Sequence, residues 1–110
     1  MDCLFCKLGK ERGNKIYEDD LFFIIEDINP KARYHYLAIP RKHYKYLTDM
    51  NKTDIEEFDI IVSTIGNLAK WLKLDGGFRL IINQGDDAGQ SVPHLHIHIL
   101  GGEKMDWNPA

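Results

Sequence analysis

The sequence predicts an α+β domain with an antiparallel sheet of about five strands, one long helix and a short N-terminal helix. Two observations predict this class. Five short segments rich in branched and aromatic residues are separated by turn residues, a pattern typical of strands. Two other stretches have apolar residues at helical spacing, and one of them is long. A chain of 110 residues has room for one domain with one core, so we expect 1–110 to form a single domain.

The N-terminal half supplies the short helix and three strands. Leu4, Phe5 and Leu8 have helical spacing and predict the short helix. The strands are predicted over 16–18, 21–25 and 34–40, the last closed by a proline. The basic residues Arg41, Lys42 and Lys45 that follow are expected to form a solvated turn.

The C-terminal half supplies the long helix and two strands. The segment 53–56 matches a capping box, Thr-x-x-Glu, which marks a helix start. Apolar residues recur on one face as far as Leu72, and Gly76-Gly77 is expected to stop the helix. We expect this helix to cover the sheet face opposite the histidines described next. A strand over 78–83 and a glycine-bearing loop over 84–91 then lead to the last strand.

The last predicted strand carries a row of histidines. Histidine and a bulky aliphatic residue alternate over 94–100, which is typical of a strand with two unlike faces. The face opposite the apolar residues would present His94, His96 and His98. Three core histidines would need three sets of buried partners. The outer two would lie about 13 Å apart on a strand, far for one zinc ion with ligands at about 2.1 Å. The pattern therefore favours an imidazole row with divided labour.

Imidazole suits such a row because its ordinary pKa of about 6.5 lets it act as nucleophile, base or cation near neutral pH. His96 has a histidine on either side and is the best nucleophile candidate. Its reactive nitrogen must be unprotonated and must point outward. We therefore expect its other ring nitrogen to donate to a fixed acceptor such as a backbone carbonyl. Gln90 and Ser91 arrive beside the imidazoles as local donors for a phosphate.

Two cysteines near the N-terminus, Cys3 and Cys6, form a Cys-x-x-Cys pair. Such a pair is half of a structural zinc site, and His43 and His94 are candidates for the other two ligands. A disulfide is not expected in a reducing cytosol, and a redox pair would be expected where a helix begins after a strand. The residues alone leave structural zinc and plain buried thiols as alternatives.

Composition excludes several partners. The chain is 44% hydrophobic and 28% charged, which is ordinary for a globular protein. A formal net charge of −3 gives no basic footprint for nucleic acid or for an anionic membrane. No apolar run approaches the roughly 20 residues of a membrane span, and the start of the chain lacks the basic region of a signal peptide. We expect a cytoplasmic protein without a nucleic-acid or membrane partner.

The segment 94–100 matches throughout the pattern His-φ-His-φ-His-φ-φ, where φ is hydrophobic. It resembles the signature of the histidine triad (HIT) family of nucleotide hydrolases and transferases, and the resemblance extends over nearly the whole chain. It implies the HIT-like fold. His98 and the Leu-Gly-Gly ending are similar to the Hint branch, whereas the uridylyltransferase-like branch has glutamine at the third triad position. The resemblance implies a purine nucleoside phosphoramidase or nucleotidyl hydrolase that acts through a nucleotidyl-histidine.

The resemblance also implies roles for individual residues. His96 would attack the α-phosphorus of a nucleoside 5′-phosphoramidate, with His98 holding oxygens of the phosphate and His35 supporting the triad. The remaining implied substrate contacts are Asp27 to the ribose hydroxyls, Asn83 and Ser91 to the sugar–phosphate side, Gln90 nearby, and Ile28 and Phe5 among the apolar walls of a base pocket. Without the resemblance, Asp27 would be a solvated or capping residue and the apolar residues would be core.

For the metal and the assembly, the resemblance to bacterial members implies a structural zinc on Cys3, Cys6, His43 and His94. The main chain of His94, rather than its ring, would then serve catalysis. No organic cofactor is expected. The implied partners are a purine nucleotide of the AMP or GMP type and a second copy of the chain, with Trp107 reaching toward the partner subunit's site. The alternative function is a zinc-stabilised nucleotide-binding or scaffold protein with incidental turnover.

Overall fold

A computed structural model describes residues 3–106, so Trp107 lies outside the described residues. The elements, in chain order, are α1 (Leu4–Lys10), β1 (Tyr17–Glu18), β2 (Phe22–Glu26), β3 (Tyr34–Pro40), α2 (Lys52–Leu68), β4 (Phe78–Ile81) and β5 (Ile97–Gly101), with short 3₁₀ turns at Leu47–Asp49 and Asp86–Ala88. The strands form one antiparallel sheet in the order β1-β2-β3-β5-β4. The predicted α+β class, with five strands, one long helix and a short N-terminal helix, is confirmed.

The sheet has two differently covered faces. In the pairing of β3 with β5, Leu37 lies opposite His98 and His35 lies opposite Leu100. Because side chains alternate along a strand, all four belong to one face. The opposite face packs against Ile61 and Ile65 of α2 and forms the larger core cluster. The expectation that the long helix covers the face opposite the histidines is confirmed, and α1 lies on the histidine face through Phe5.

Helix α2 begins two residues earlier than the capping box at 53–56 predicts. The N-cap is Asn51, whose side-chain oxygen accepts from the backbone N–H of Asp54 at 2.9 Å. The Asp54 carboxylate accepts in return from the backbone N–H of Asn51 at 3.1 Å. Asparagine caps a helix as well as threonine does, and the buried Asp54 also accepts from Lys42 at 2.5 Å. This second partner favours the earlier register.

The end of α2 is set by Lys73 rather than by Gly76-Gly77. The regular helix ends at Leu68, and the following turns close with Lys73 N–H donating to the Lys70 carbonyl and Leu74 N–H to the Ala69 carbonyl, at 3.1 and 2.8 Å. Lys73 has a φ of 63°. This pairing is the Schellman motif, here with lysine in the position that glycine usually takes. The buried Leu74 one residue later contributes to the core and offsets the strain.

Strand β5 begins at Ile97, three residues later than the histidine alternation predicts. His94 and Leu95 lie in the turn before it, where Leu95 N–H donates to the Tyr44 carbonyl at 2.6 Å. Because this N–H is bound to Tyr44 and not to β3, the ladder between β3 and β5 starts only at Ile97. The expected single row of three imidazoles on one strand is therefore wrong, because His94 is fully buried away from the strand.

The turn after β3 is solvated at Lys42 and Lys45, which are exposed, whereas Arg41 departs from the predicted solvated turn. Arg41 donates to two backbone carbonyls, those of Gly9 and Asp19, both at 2.7 Å. Lys42 pairs with the buried Asp54 as described above. Both side chains thus join separate parts of the fold.

None of the helices in the described part of the chain has the length and hydropathy of a membrane span.

Candidate functional site

A cavity of about 390 Å³ opens on the histidine face between α1, the end of β2 and the loop before the triad. Its apolar lining is formed by Leu4, Phe5, Leu8, Ile25, Ile28, Leu37 and Val92. Its polar lining includes Asp27, Asn83, Gln90, Ser91, His96 and His98. The structure thus brings together all the residues that the sequence analysis assigned to substrate, and it places His35 and His94 behind the wall. An apolar cavity with a few converging polar groups is typical of a small-molecule site.

His96 presents an unprotonated nitrogen. Its Nδ1 lies 2.8 Å from the carbonyl oxygen of His94. A carbonyl can only accept, so Nδ1 carries the proton, and in the neutral ring Nε2 keeps its lone pair. The ring is 7% exposed, and Phe5 packs against it edge-on with 5.1 Å between ring centroids. The geometry expected for a histidine nucleophile, with a carbonyl holding the other nitrogen, is present here.

The protonation of His35 is fixed by the main chain. The backbone N–H of Lys31 donates to His35 Nδ1 at 3.0 Å, so that nitrogen is unprotonated. The proton of neutral His35 is then on Nε2, which lies 2.9 Å from Nδ1 of His98. His35 therefore donates to His98, and His98 carries its own proton on Nε2. The backbone N–H of Lys31 therefore determines which ring nitrogen carries the proton in both His35 and His98.

Burial keeps this pair of rings neutral. Burial lowers the pKa of His98 to about 4, helped by the nearby His96 and His35 and opposed by the Asp27 carboxylate. Burial also lowers the pKa of His35, against the opposing effect of Asp27. Near neutral pH, His98 thus offers a neutral Nε2–H donor at the cavity wall.

Asp27, His35 and His98 bring three possible ligand atoms within 4.8 Å of one another. The separations from His35 Nε2 to Asp27 Oδ2 and to His98 Nδ1 are 3.3 and 2.9 Å. A metal on His35 Nε2 would move the ring proton to Nδ1, where it would face the donating N–H of Lys31. Because two donors would then oppose each other, the cluster is a hydrogen-bonded network rather than a metal centre.

A second cluster, formed by Cys3, Cys6, His43 and His94, fits a metal ion. Its four ligand atoms lie within 4.8 Å of one another. Sγ of Cys3 is 3.3 Å from Nδ1 of His94, and Sγ of Cys6 is 3.3 Å from Nδ1 of His43. Two sulfurs and two imidazole nitrogens at such separations can converge on one tetrahedral ion. Both cysteines are free of disulfides.

The ring of His94 is oriented for this metal. Its Nε2 lies 2.7 Å from the Pro40 carbonyl and must donate to it, which leaves the Nδ1 lone pair facing the two sulfurs. A ligand histidine that donates its other N–H to a carbonyl is the usual arrangement at zinc. Burial, with the neighbouring Cys3, raises the pKa of the Cys6 thiol, so a thiolate there needs a cation. The donor chemistry therefore fits a metal better than a pair of plain buried thiols.

Two predicted substrate residues lie differently from what their roles suggest. Ile28 is 91% exposed and stands at the rim of the cavity. The Gln90 amide is engaged at both ends, because its oxygen accepts from Gly85 N–H at 2.8 Å and its nitrogen donates to the Lys45 carbonyl at 3.0 Å. Gln90 thus holds the loop in shape beside the cavity.

Sequence reasoning missed the Lys31 amide, the lining residues Leu37 and Val92, and the anchoring of α1 by Arg41. The Lys31 contact is made by a backbone group and leaves no signature in residue types. Val92 carries a weak signal, since it lies directly between Ser91 and the triad. Arg41 follows the β3 proline as any solvated turn residue would.

Comparison with known proteins agrees with this geometry. The sequence profile described as "HIT domain" matches residues 9–105. The protein named pkiA of Dictyostelium discoideum is 41% identical over 115 residues, covering 99% of this chain and 90% of its own. The solved structure of a HIT family hydrolase from Legionella pneumophila superposes with a TM-score of 0.89 at 38% identity, covering 99% of this chain and all of the other.

A third relative carries a metal. The crystal structure of a zinc-bound histidine triad family protein from Mycobacterium smegmatis has a TM-score of 0.75 and 33% identity to this chain, over 98% of this chain and 82% of that one. The profile match covers the triad, the five strands and the cavity residues from Ile25 onward, and it begins after Leu4, Phe5 and Leu8 of α1. This chain therefore belongs to the HIT domain family.

Proposed function

We propose that this chain is a nucleotide hydrolase, specifically a purine nucleoside phosphoramidase that acts through a nucleotidyl-histidine. The single observation that carries the proposal is the His96 ring, whose Nδ1 is bound to a carbonyl while Nε2 is unprotonated at a nucleoside-sized cavity. A structural relative described as a HIT family hydrolase supports the reaction class.

In the proposed first step, His96 Nε2 attacks the α-phosphorus and forms a P–N bond while the P–N bond to the leaving amine breaks. The leaving amine needs a proton, which the triad would supply and which the water of the second step would return. The Nε2–H of His98 and the Ser91 hydroxyl would hold the non-bridging oxygens. Water then displaces His96, releases the nucleoside monophosphate and restores the free imidazole. Two easier displacements replace one difficult one.

Binding of the nucleoside is assigned to the apolar walls and to Asp27. The carboxylate is fixed by accepting from the backbone N–H of Asn29 at 2.8 Å. A fixed carboxylate is a strong acceptor for two vicinal ribose hydroxyls. Leu4, Leu8 and Ile25 offer the stacking area that a purine needs, with Asn83 and Ser91 toward the phosphate.

The cysteine–histidine cluster is proposed to hold a structural zinc. The zinc would supply no step of the reaction; bound there, it would fix the start of α1 against the triad. Zinc on two cysteines requires reduced thiols, which favours the cytoplasm as the working compartment.

A homodimer built from single HIT domains is part of the proposal. Within the described sheet, β4 is an edge strand, and its Leu80 is 38% exposed on the side that faces α2. An edge strand with an exposed apolar residue is suited to pairing with a second copy. The contribution of Trp107 to the partner subunit's site stays a prediction, since this residue lies outside the described part of the chain.

The test combines turnover with intact mass. Native chain and His96→Ala are given adenosine 5′-phosphoramidate, and AMP release and protein mass are followed after a short quench. We expect the native chain to release AMP and to carry a transient added nucleotidyl mass, and His96→Ala to show neither while still binding AMP. Arg12→Met, which alters an exposed residue far from the triad in sequence, serves as the unchanged control.

Turnover of His96→Ala at the native rate would remove His96 from the nucleophile role and overturn the mechanism. A native chain that binds AMP but turns nothing over would favour the alternative, a zinc-stabilised nucleotide-binding or scaffold protein.

A further inference from the structure

Helix α1 forms one wall of the cavity and depends on outside contacts for its position. Leu4, Phe5 and Leu8 line the cavity, and Phe5 is the buried residue of the helix. Leu4 is 55% exposed. A helix of two turns is not stable alone in water, so its ends must be held by the rest of the fold. The contacts of Cys3 with His94 and of Cys6 with His43 hold the first end.

Arg41 holds the other end. Its Nη1 donates to the carbonyl of Gly9 in the last turn of α1, at 2.7 Å, and its Nε donates to the carbonyl of Asp19 beyond β1, also at 2.7 Å. A third contact joins Nη2 to the exposed Glu18 carboxylate at 2.9 Å. Carbonyls in the last turn of a helix lack helical N–H partners, and here a guanidinium supplies one. The Arg41 side chain thus ties α1 to the sheet.

The seat of α1 on the sheet is tight at this point. A Cβ added to Gly9 would lie 3.1 Å from Cε1 of Phe23, which is closer than ordinary contact. Phe23 is fully buried in β2, and the Arg41 guanidinium lies over its ring at 5.5 Å from the centroid. Helix end, aromatic ring and guanidinium therefore pack as one unit, and loss of the guanidinium frees the helix end to move.

We propose that Arg41 is a positioning residue that sets the affinity of the cavity for a nucleoside by holding α1 in place. The inference rests on the proposed function, because it takes the cavity as the nucleoside site. Arg41 is outside the cavity lining and acts through the helix. His96 and His98 are held by their own hydrogen bonds to His94 and His35. Loss of Arg41 should therefore weaken binding much more than it slows the chemical step.

The experiment uses Arg41→Met, which removes the donors and keeps an apolar stem over Phe23. Arg12→Met is the matched control, since it removes an exposed arginine just after the same helix. AMP affinity is measured by calorimetry, KM and kcat with adenosine 5′-phosphoramidate, and amide exchange over α1 by mass spectrometry. Thermal unfolding of each variant reports whether the whole fold has weakened.

For Arg41→Met we expect the AMP Kd and the KM to rise at least about tenfold, equivalent to about 1.4 kcal/mol, with kcat within about twofold of native. The helical amide of Lys7, bonded to the Cys3 carbonyl, and that of Glu11, bonded to the Leu8 carbonyl, should exchange faster. Arg41→Lys keeps the charge but cannot span the same acceptors, and should show a smaller shift in the same direction. The lysine variant decides the question if the methionine variant does not fold.

An AMP Kd or an α1 exchange rate equal to native in Arg41→Met would overturn the inference. A fall in kcat at constant KM would also overturn it, because it would place Arg41 in the chemistry. A native chain that neither binds AMP nor hydrolyses the phosphoramidate would refute the proposed function and this inference together. Native binding without an Arg41 effect would refute the inference alone.

Discussion

The neutral state of His98 makes a prediction about stability and pH. Burial lowers its pKa from the ordinary value of 6.5 to about 4 in the folded chain. Its side chain is 19% exposed, so solvent screens the effect only modestly. A histidine with a lowered folded pKa leaves stability unaffected above pH 6.5. Below that pH the unfolded chain binds the proton first, so stability falls as the pH drops from 6.5 to about 4.

The size of the loss follows from the two pKa values. At pH 5 the proton bound by the unfolded chain costs about 2 kcal/mol of stability, and at pH 4 about 3 kcal/mol. Typical domains have about 5–15 kcal/mol in total, so the effect is measurable. His98→Gln keeps a polar side chain at this position and removes the titration. Between pH 7 and pH 5, the free energy of unfolding of the native chain should fall about 2 kcal/mol more than that of His98→Gln.

The assay is urea unfolding followed by circular dichroism, with both proteins free of metal, because protonation of zinc ligands would add its own pH dependence. Burial also lowers the pKa values of His35 and His94, but both proteins retain these residues, so their contributions largely cancel in the comparison. Equal pH dependence in the two proteins would refute the reasoning. So would an NMR titration in which the His98 ring titrates near 6.5.

Two further predictions concern the metal and a glycine. The native chain should carry about one zinc per molecule by elemental analysis. Chelation should lower the thermal midpoint of unfolding and speed amide exchange over α1. If added zinc restored full turnover without restoring the structure, the metal would be catalytic. Gly102→Ala should destabilise the chain by more than about 2 kcal/mol in urea unfolding, because φ is +86° and the new Cβ would lie 2.2 Å from Cδ2 of Tyr34. Gly13→Ala, at φ +80° with open space around it, is the control and should cost only about 1 kcal/mol, so equal losses would show that backbone strain alone matters.

Much of the fold could be predicted because its signals are local. Alternation and turn residues gave all five strands, and helical spacing gave α2. The errors arose where two local signals competed. Asn51 and Thr53 are both good N-caps, and the choice between them depends on Asp54, whose partner Lys42 is distant in sequence. The left-handed turn at Lys73, which closes the turns after α2, likewise depends on burial of Leu74 in the core.

The residues of the candidate site and one of its hydrogen bonds could be predicted from the sequence. The Cys-x-x-Cys pair and two histidines indicated a cluster, and the structure brings the four ligand atoms together. The expectation that His96 donates to a carbonyl followed from nucleophile chemistry alone. The positions of the ring protons of His35 and His98 could not be predicted, because they depend on the backbone amide of Lys31. Backbone groups are present at every residue, so no sequence pattern marks the one that matters.

The side chain and the main chain of His94 have separate roles. The first requires a histidine, and the second could be filled by any amino acid. The imidazole belongs to the cysteine–histidine cluster and donates to the Pro40 carbonyl, whereas the oxygen that orients His96 is a main-chain carbonyl. The orientation of the His96 ring therefore depends on the path of the backbone at 94 and not on the side chain there. In a redesigned chain without the cysteine–histidine cluster, other amino acids could replace His94, provided that the backbone after Pro93 kept the same conformation.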